Sequence, residues 1–142
     1  MRIISARVSA IVHATEDPEK VICALKQICG LELSRSIIEK RIFKGHFGNP
    51  ITPLALHLRC AQAEAVLVSL WRKLSIQERG VLVESLTDRL DDEGKLHIRL
   101  DKQKSFRGEC QFNERDPIKV QISFERSSSY PEVKKFLETL HV

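Results

Sequence analysis

Leu96-His97-Ile98-Arg99-Leu100-Asp101-Lys102-Gln103-Lys104 alternates apolar and polar side chains and then turns wholly polar. Successive side chains of a strand point to opposite faces, so Leu96, Ile98 and Leu100 enter a core while His97, Arg99 and Asp101 share the other side. Lys102, Lys104 and Arg107 extend a positive field at the strand end. A strand of this kind needs cover on one side only. Its polar face is then open to a partner.

The same alternation recurs downstream. Ile118, Val120, Ile122 and Phe124 alternate with Lys119, Gln121 and Ser123, which puts Lys119 and Gln121 on the face expected for Arg99. Phe106, Gly108, Cys110 and Phe112 read as a further strand, Asp116-Pro117 as a turn, and Pro131 as the start of a closing helix with Val133, Phe136, Leu137 and Leu140 inward.

Upstream, Ser75-Ile76-Gln77-Glu78 fits a capping box ahead of a helix that buries Leu82, Val83, Leu86 and Leu90. Thr52-Pro53 looks like a cap followed by proline, and predicts a long helix from Leu54 to about Lys73. Leu31 to Lys44 reads as one or two strands. At the start, Ile4, Ala6, Val8, Ala10 and Val12 form one face of a strand. Asp17-Pro18 then opens a helix that Gly30 ends. The order β-α-β(β)-α-α-β-β-β-α predicts one α+β domain over residues 1–142, with helices on one side of the sheet.

Composition narrows the function classes. The 142 residues are 42% hydrophobic and 30% charged, which suits a globular chain. The net charge of +4 and pI near 9.0 are compatible with a polyanionic partner. No stretch is apolar enough to span a bilayer, and the N-terminus has no signal-peptide pattern, so a cytoplasmic protein is expected. Cys23, Cys29, Cys60 and Cys110 lack zinc-ligand spacing and read as small hydrophobes. His13, His46, His57, His97 and His141 show no metalloprotease spacing, and no nucleophile elbow is present. No enzyme, metal or cofactor is expected. Asp101 is the one carboxylate off the caps that a nuclease could use.

A second candidate segment is Lys44-Gly45-His46-Phe47-Gly48-Asn49-Pro50-Ile51. Its glycines allow close backbone approach, its N–H groups could cradle a phosphate, and His46 or Phe47 could stack on a base. The plain alternative is a tight loop with Phe47 as a core plug. For the strand face, the alternative is a solvated surface laced with ion pairs.

Three motifs occur together in a known family: His13-Ala14-Thr15-Glu16-Asp17-Pro18-Glu19-Lys20-Val21, Gly45-His46-Phe47-Gly48-Asn49-Pro50-Ile51, and Arg99-Leu100-Asp101-Lys102-Gln103. In these the chain resembles small archaeal proteins labelled RNA-binding proteins or predicted exosome subunits. The resemblance implies a curved antiparallel sheet with helices on one face, similar to the ribosomal protein that binds five-S RNA. It departs at Phe47 and at Lys104-Ser105-Phe106. The implied function is non-catalytic RNA binding, in RNA processing or degradation. Arg41, Lys44, Arg99, Lys102 and Lys104 would meet phosphates, and His46 and Gln103 would meet base or ribose. Gly45, Gly48, Asn49 and Asp101 complete the candidate set. The alternative is a protein–protein adaptor or self-associating module, a homodimer included, recognised by an exposed apolar patch at Phe47, Trp71 or Tyr130.

Overall fold

A computed structural model of the chain describes residues 2–30, 51–125 and 129–140, together with the backbone of 43–44. The elements are β1 (Ile3–His13), α1 (Pro18–Cys29), β2 (Phe43–Lys44), β3 (Ile51–Arg59), α2 (Cys60–Lys73), α3 (Ile76–Glu84), α4 (Leu86–Arg89), β4 (Lys95–Leu100), α5 (Lys102–Phe106), β5 (Ile118–Phe124) and α6 (Tyr130–Glu138). The five strands form one sheet in the order β2-β3-β1-β5-β4, and every neighbouring pair is antiparallel.

Alternation decides which face is covered. Ala6, Val8, Ala10 and Val12 of β1, Val120 and Ile122 of β5, and Leu96 and Ile98 of β4 are buried. They share one core with Leu25 and Ile28 of α1, Val66 and Leu70 of α2, Leu82 of α3, Leu86 of α4, and Val133 and Leu137 of α6. The fold is therefore α+β, with its helices on one side of an open antiparallel sheet.

Local signals set several boundaries as the sequence suggests. Asp17 accepts a hydrogen bond from the Glu19 N–H at 3.0 Å, with Pro18 as the first helical residue of α1. Ser75 Oγ accepts from the Glu78 N–H at 3.1 Å, but the Glu78 carboxylate accepts from the Phe112 N–H at 3.4 Å. Gly94, at φ +80°, turns the chain into β4, and its carbonyl accepts from the Phe124 N–H at 2.9 Å. Trp71 is buried, and its Nε1–H donates to the Leu140 carbonyl at 3.0 Å.

Two expectations are corrected. Residues 54–59 are strand, not helix: Leu54, Leu56 and Leu58 face the core while His57 and Arg59 are exposed. The helix begins only at Cys60, whose φ of +51° marks an abrupt strand-to-helix junction. Phe106 to Phe112 is not a strand either. Asp101 caps the short helix α5, Phe106 is 38% exposed, and only Phe112 pairs, in an isolated bridge to Leu100.

Candidate nucleic-acid interface

The uncovered face of the sheet can be read row by row from the register. His57, Arg7, Gln121 and His97 lie side by side across β3, β1, β5 and β4. The next row is Ala55, Ser9, Lys119 and Arg99, and the row on the other side is Arg59, Ser5, Ser123 and Lys95. Directly opposed residues of antiparallel strands share a face, so five cations and two histidines come together on one surface. A shallow cleft of about 480 Å³ crosses it, bounded by Arg7, Ser9, Ile11, Pro53, Arg99, Glu114, Lys119 and Gln121.

Part of this charge is balanced at the rim. Arg99 meets Glu114 at 3.0 Å, both side chains being well exposed, and Lys95 meets Glu93 at 3.4 Å. His97 meets Asp91 at 2.8 Å, and its hydrogen bond holds the Asp91 carboxyl below the ordinary carboxylate value. Exposed pairs of this sort are weak and exchange readily for another anion. Among the described residues, no carboxylate pairs with Arg7, Arg59 or Lys119. The middle of the face is positive.

The residues singled out from sequence divide into three groups. Arg99 stands on the open face beside Lys119, with Gln121 in the adjoining row, as the alternation implied. Asp101 turns away from that face and caps α5. Its carboxylate accepts from the Lys104 N–H and from Asn113 Nδ2, each at 2.9 Å, and these bonds, the Lys104 one foremost, hold it below the ordinary range. Lys104 is half-buried, with its ammonium on the Gln111 side chain. Gln103 is exposed in a separate cleft. Lys44 contributes its backbone to β2, opposite Leu54. Arg41, Gly45, His46, Gly48 and Asn49, with Phe47, lie outside the described residues.

Lys102 requires a correction of its own. The strand ends at Leu100, so extrapolating its field along the chain misplaces this side chain. Lys102 is 7% exposed, and its ammonium donates to the Ile11 carbonyl at 2.7 Å, to Glu16 Oε1 at 3.1 Å and to Asp116 Oδ2 at 2.8 Å. Its three donors are engaged by protein, and none is aimed at solvent. His13 joins the cluster, with Nε2 3.0 Å from Asp116 Oδ1. Burial pushes the Asp116 carboxyl up, but the hydrogen bonds and charges of Lys102 and His13 outweigh it and hold the group low. Ligand atoms of His13, Glu16 and Asp116 lie within 4.8 Å of one another, a spacing a metal could use, yet the Lys102 ammonium already bonds both carboxylates as an internal cation.

Sequence reading misses Arg7, His57 and Arg59 as site residues. The alternation of β1 exposes Arg7, and the alternation of β3 would have exposed the other two had residues 54–59 not been assigned to a helix.

The profile of a family described as RNA binding matches residues 5–124. A protein of Pyrococcus abyssi named as RNA-binding is 36% identical over 120 residues, covering 82% of this chain and 78% of its own length. An uncharacterised protein of Methanocaldococcus jannaschii is 30% identical over 118 residues, covering 80% of this chain and 78% of its own. The crystal structure of a DUF54 protein from Archaeoglobus fulgidus superposes with a TM-score of 0.78 at 30% identity, covering 99% of this chain and 98% of that one. These matches span the open face, the Lys102 cluster and the core together, and the chain belongs to this archaeal RNA-binding family.

Proposed function

We propose that the protein binds RNA on the open face of its sheet, without catalysis, and that it does so chiefly through the sugar-phosphate backbone. The carrying observation is the set Arg7, Arg59 and Lys119, cations on one surface with no carboxylate partner among the described residues. Arginine and lysine neutralise phosphates, and Ser5, Ser9 and Gln121 between them offer hydrogen bonds to ribose hydroxyls. The aromatic side chains on the described part of this face are the imidazoles of His57 and His97, outnumbered by five cations, which favours reading backbone and shape ahead of stacking bases. The family membership points the same way.

The experiment is a salt titration of binding to a short RNA duplex. Each neutralised phosphate contributes a slope of about −0.9 to log K against log salt, as calibrated on duplex DNA. Arg7→Ala with Lys119→Ala should weaken binding and flatten the slope by about two. An unchanged slope in a folded double variant refutes the assignment.

The finer reading places the protein in the cytoplasm with RNA-processing or degradation machinery, an exosome-like complex included. The processing role rests on the sequence resemblance, as does the likeness to the five-S-RNA-binding ribosomal fold, and the cytoplasmic reading rests on the sequence pattern. Copurification that survives RNase treatment would support a protein partner as well. The adaptor alternative has lost two of its three named anchors, because Trp71 is buried and Tyr130 packs against the core.

A further inference from the structure

The second cleft lies beyond the Lys102 cluster. It holds about 320 Å³ and is lined by Thr15, Glu16, Asp17, Lys20, Gln103 and Phe106, with Lys102 in its wall. The volume is at the lower end of small-ligand sites. Its chemistry is mixed in a particular way. Phe106 leaves an aromatic ring 38% exposed inside a polar surround. Gln103, three residues earlier on α5, offers an amide that both donates and accepts. Glu16 and Asp17 offer carboxylate acceptors, and exposed Lys20 stands beside them. An apolar plane edged by donors and acceptors, with a cation nearby, matches a base with its phosphate. It does not match a second phosphate run, because the two carboxylates would repel one.

The placement links this cleft to the open face. Lys102 bonds Glu16, which lines the cleft, and Asp116, which lines the cleft on the sheet face. The carboxylate atoms on the two sides are within 4.8 Å of each other. The two clefts therefore share one wall, the ion-pair cluster around Lys102. The Lys102 ammonium offsets one of the two carboxylate charges in that wall.

We propose that this cleft takes one unpaired nucleotide of an RNA whose backbone lies on the open face, with the base stacked on Phe106 and its edge on Gln103 and the acidic rim. The proposal rests on the open-face reading. It adds what that reading lacks, a place where a base rather than a backbone is recognised. A base presenting N–H donors suits the carboxylates best.

The test uses fluorescence anisotropy with two RNAs, a blunt duplex of about 16 base pairs and the same duplex carrying a short single-stranded overhang. The wild-type protein should prefer the overhang roughly 10-fold, the size expected of one base stacked on an aromatic ring. Phe106→Ala should abolish that preference and leave affinity for the blunt duplex unchanged, which also shows that the variant is folded. Phe106→Tyr should keep the preference. Equal wild-type affinity for the two RNAs, or a preference that persists in Phe106→Ala, overturns the cleft assignment and leaves the open face standing. If Arg7→Ala with Lys119→Ala weakens neither complex, the open-face reading fails instead.

Discussion

Replacing Lys102 by methionine keeps the side-chain stem and deletes the ammonium. Three acceptors lose their donor: the Ile11 carbonyl, Glu16 and Asp116. Removing one partner of a fully buried ion pair costs about 3–5 kcal/mol. Here the lysine is 7% exposed but Glu16 and Asp116 are 22% and 43% exposed, so water reaches the abandoned carboxylates and the cost falls to about 2–3 kcal/mol. For a chain of this size that lowers Tm by roughly 5–10 °C. The pH dependence carries a second signature. With the ammonium gone, Asp116 loses the hydrogen bond and charge of Lys102 that help hold its carboxyl low. A carboxyl held low in the folded state stabilises above its unfolded pKa and loses that contribution as pH falls, so the variant's deficit should be largest near neutrality and shrink as pH falls through the carboxylate range. Thermal unfolding followed by circular dichroism at neutral and mildly acidic pH measures both effects. A Tm within about 1 °C of wild type at neutral pH would refute the role assigned to this lysine. So would a normal Tm with a flattened RNA salt slope, which would make Lys102 a phosphate contact after all.

Gly94→Ala puts a Cβ 3.3 Å from the Glu125 carbonyl oxygen and 3.4 Å from that of Phe124, at a φ of +80°. It should cost about 1–2 kcal/mol, read as a lower urea midpoint with RNA affinity intact; an unshifted midpoint would contradict the strain. Asp91, Asp101 and Asp116 are all held below the ordinary carboxylate value. Groups depressed in the folded state stabilise above their unfolded pKa of about 3.9 and lose that contribution as pH falls through the folded value. Stability should therefore hold down to about pH 4 and decline below it, and Asp101→Asn should blunt the decline. An acid limb unchanged in that variant would show that its capping bonds contribute little.

The fold was legible wherever alternation was unambiguous. β4 and β5 place apolar and polar residues in strict succession and β1 does so from Ser5 to Ala10, so their faces follow directly, but an irregularity between Ile3 and Ser5 buries Ile3 where the alternation had put Ile4. Leu54 and Leu58 satisfy two periods at once, since four residues is both two strand repeats and about one helical turn. Thr52-Pro53 then tipped the reading towards helix, although Leu56, His57 and Arg59 fit only a strand. The run from Phe106 to Phe112 misled in the opposite direction: spacing by twos suggested a strand, while the Asp101 cap had already started a helix at Lys102. On the site, Arg99 with Lys119 and Gln121 could be read because each belongs to a regular strand. Lys102 could not. Its partners Ile11, Glu16 and Asp116 lie 91, 86 and 14 residues away, and no local pattern encodes such a meeting.

β4 is the last strand of the sheet, and an unpaired rim of peptide groups is a template on which a second molecule can assemble. Here the rim is occupied from both ends by the chain itself. Leu90 bridges Leu96, with the Asp91 N–H on the Lys95 carbonyl at 3.0 Å. Phe112 bridges Leu100, with the Asn113 N–H on the Arg99 carbonyl at 3.2 Å. What stays vacant is a short stretch around His97, flanked by the charges of Lys95 and Arg99. A foreign strand or amyloid-type stack would have to unzip two native bridges to gain a useful length of pairing at this border, which resists edge-to-edge growth there while the cationic face stays available.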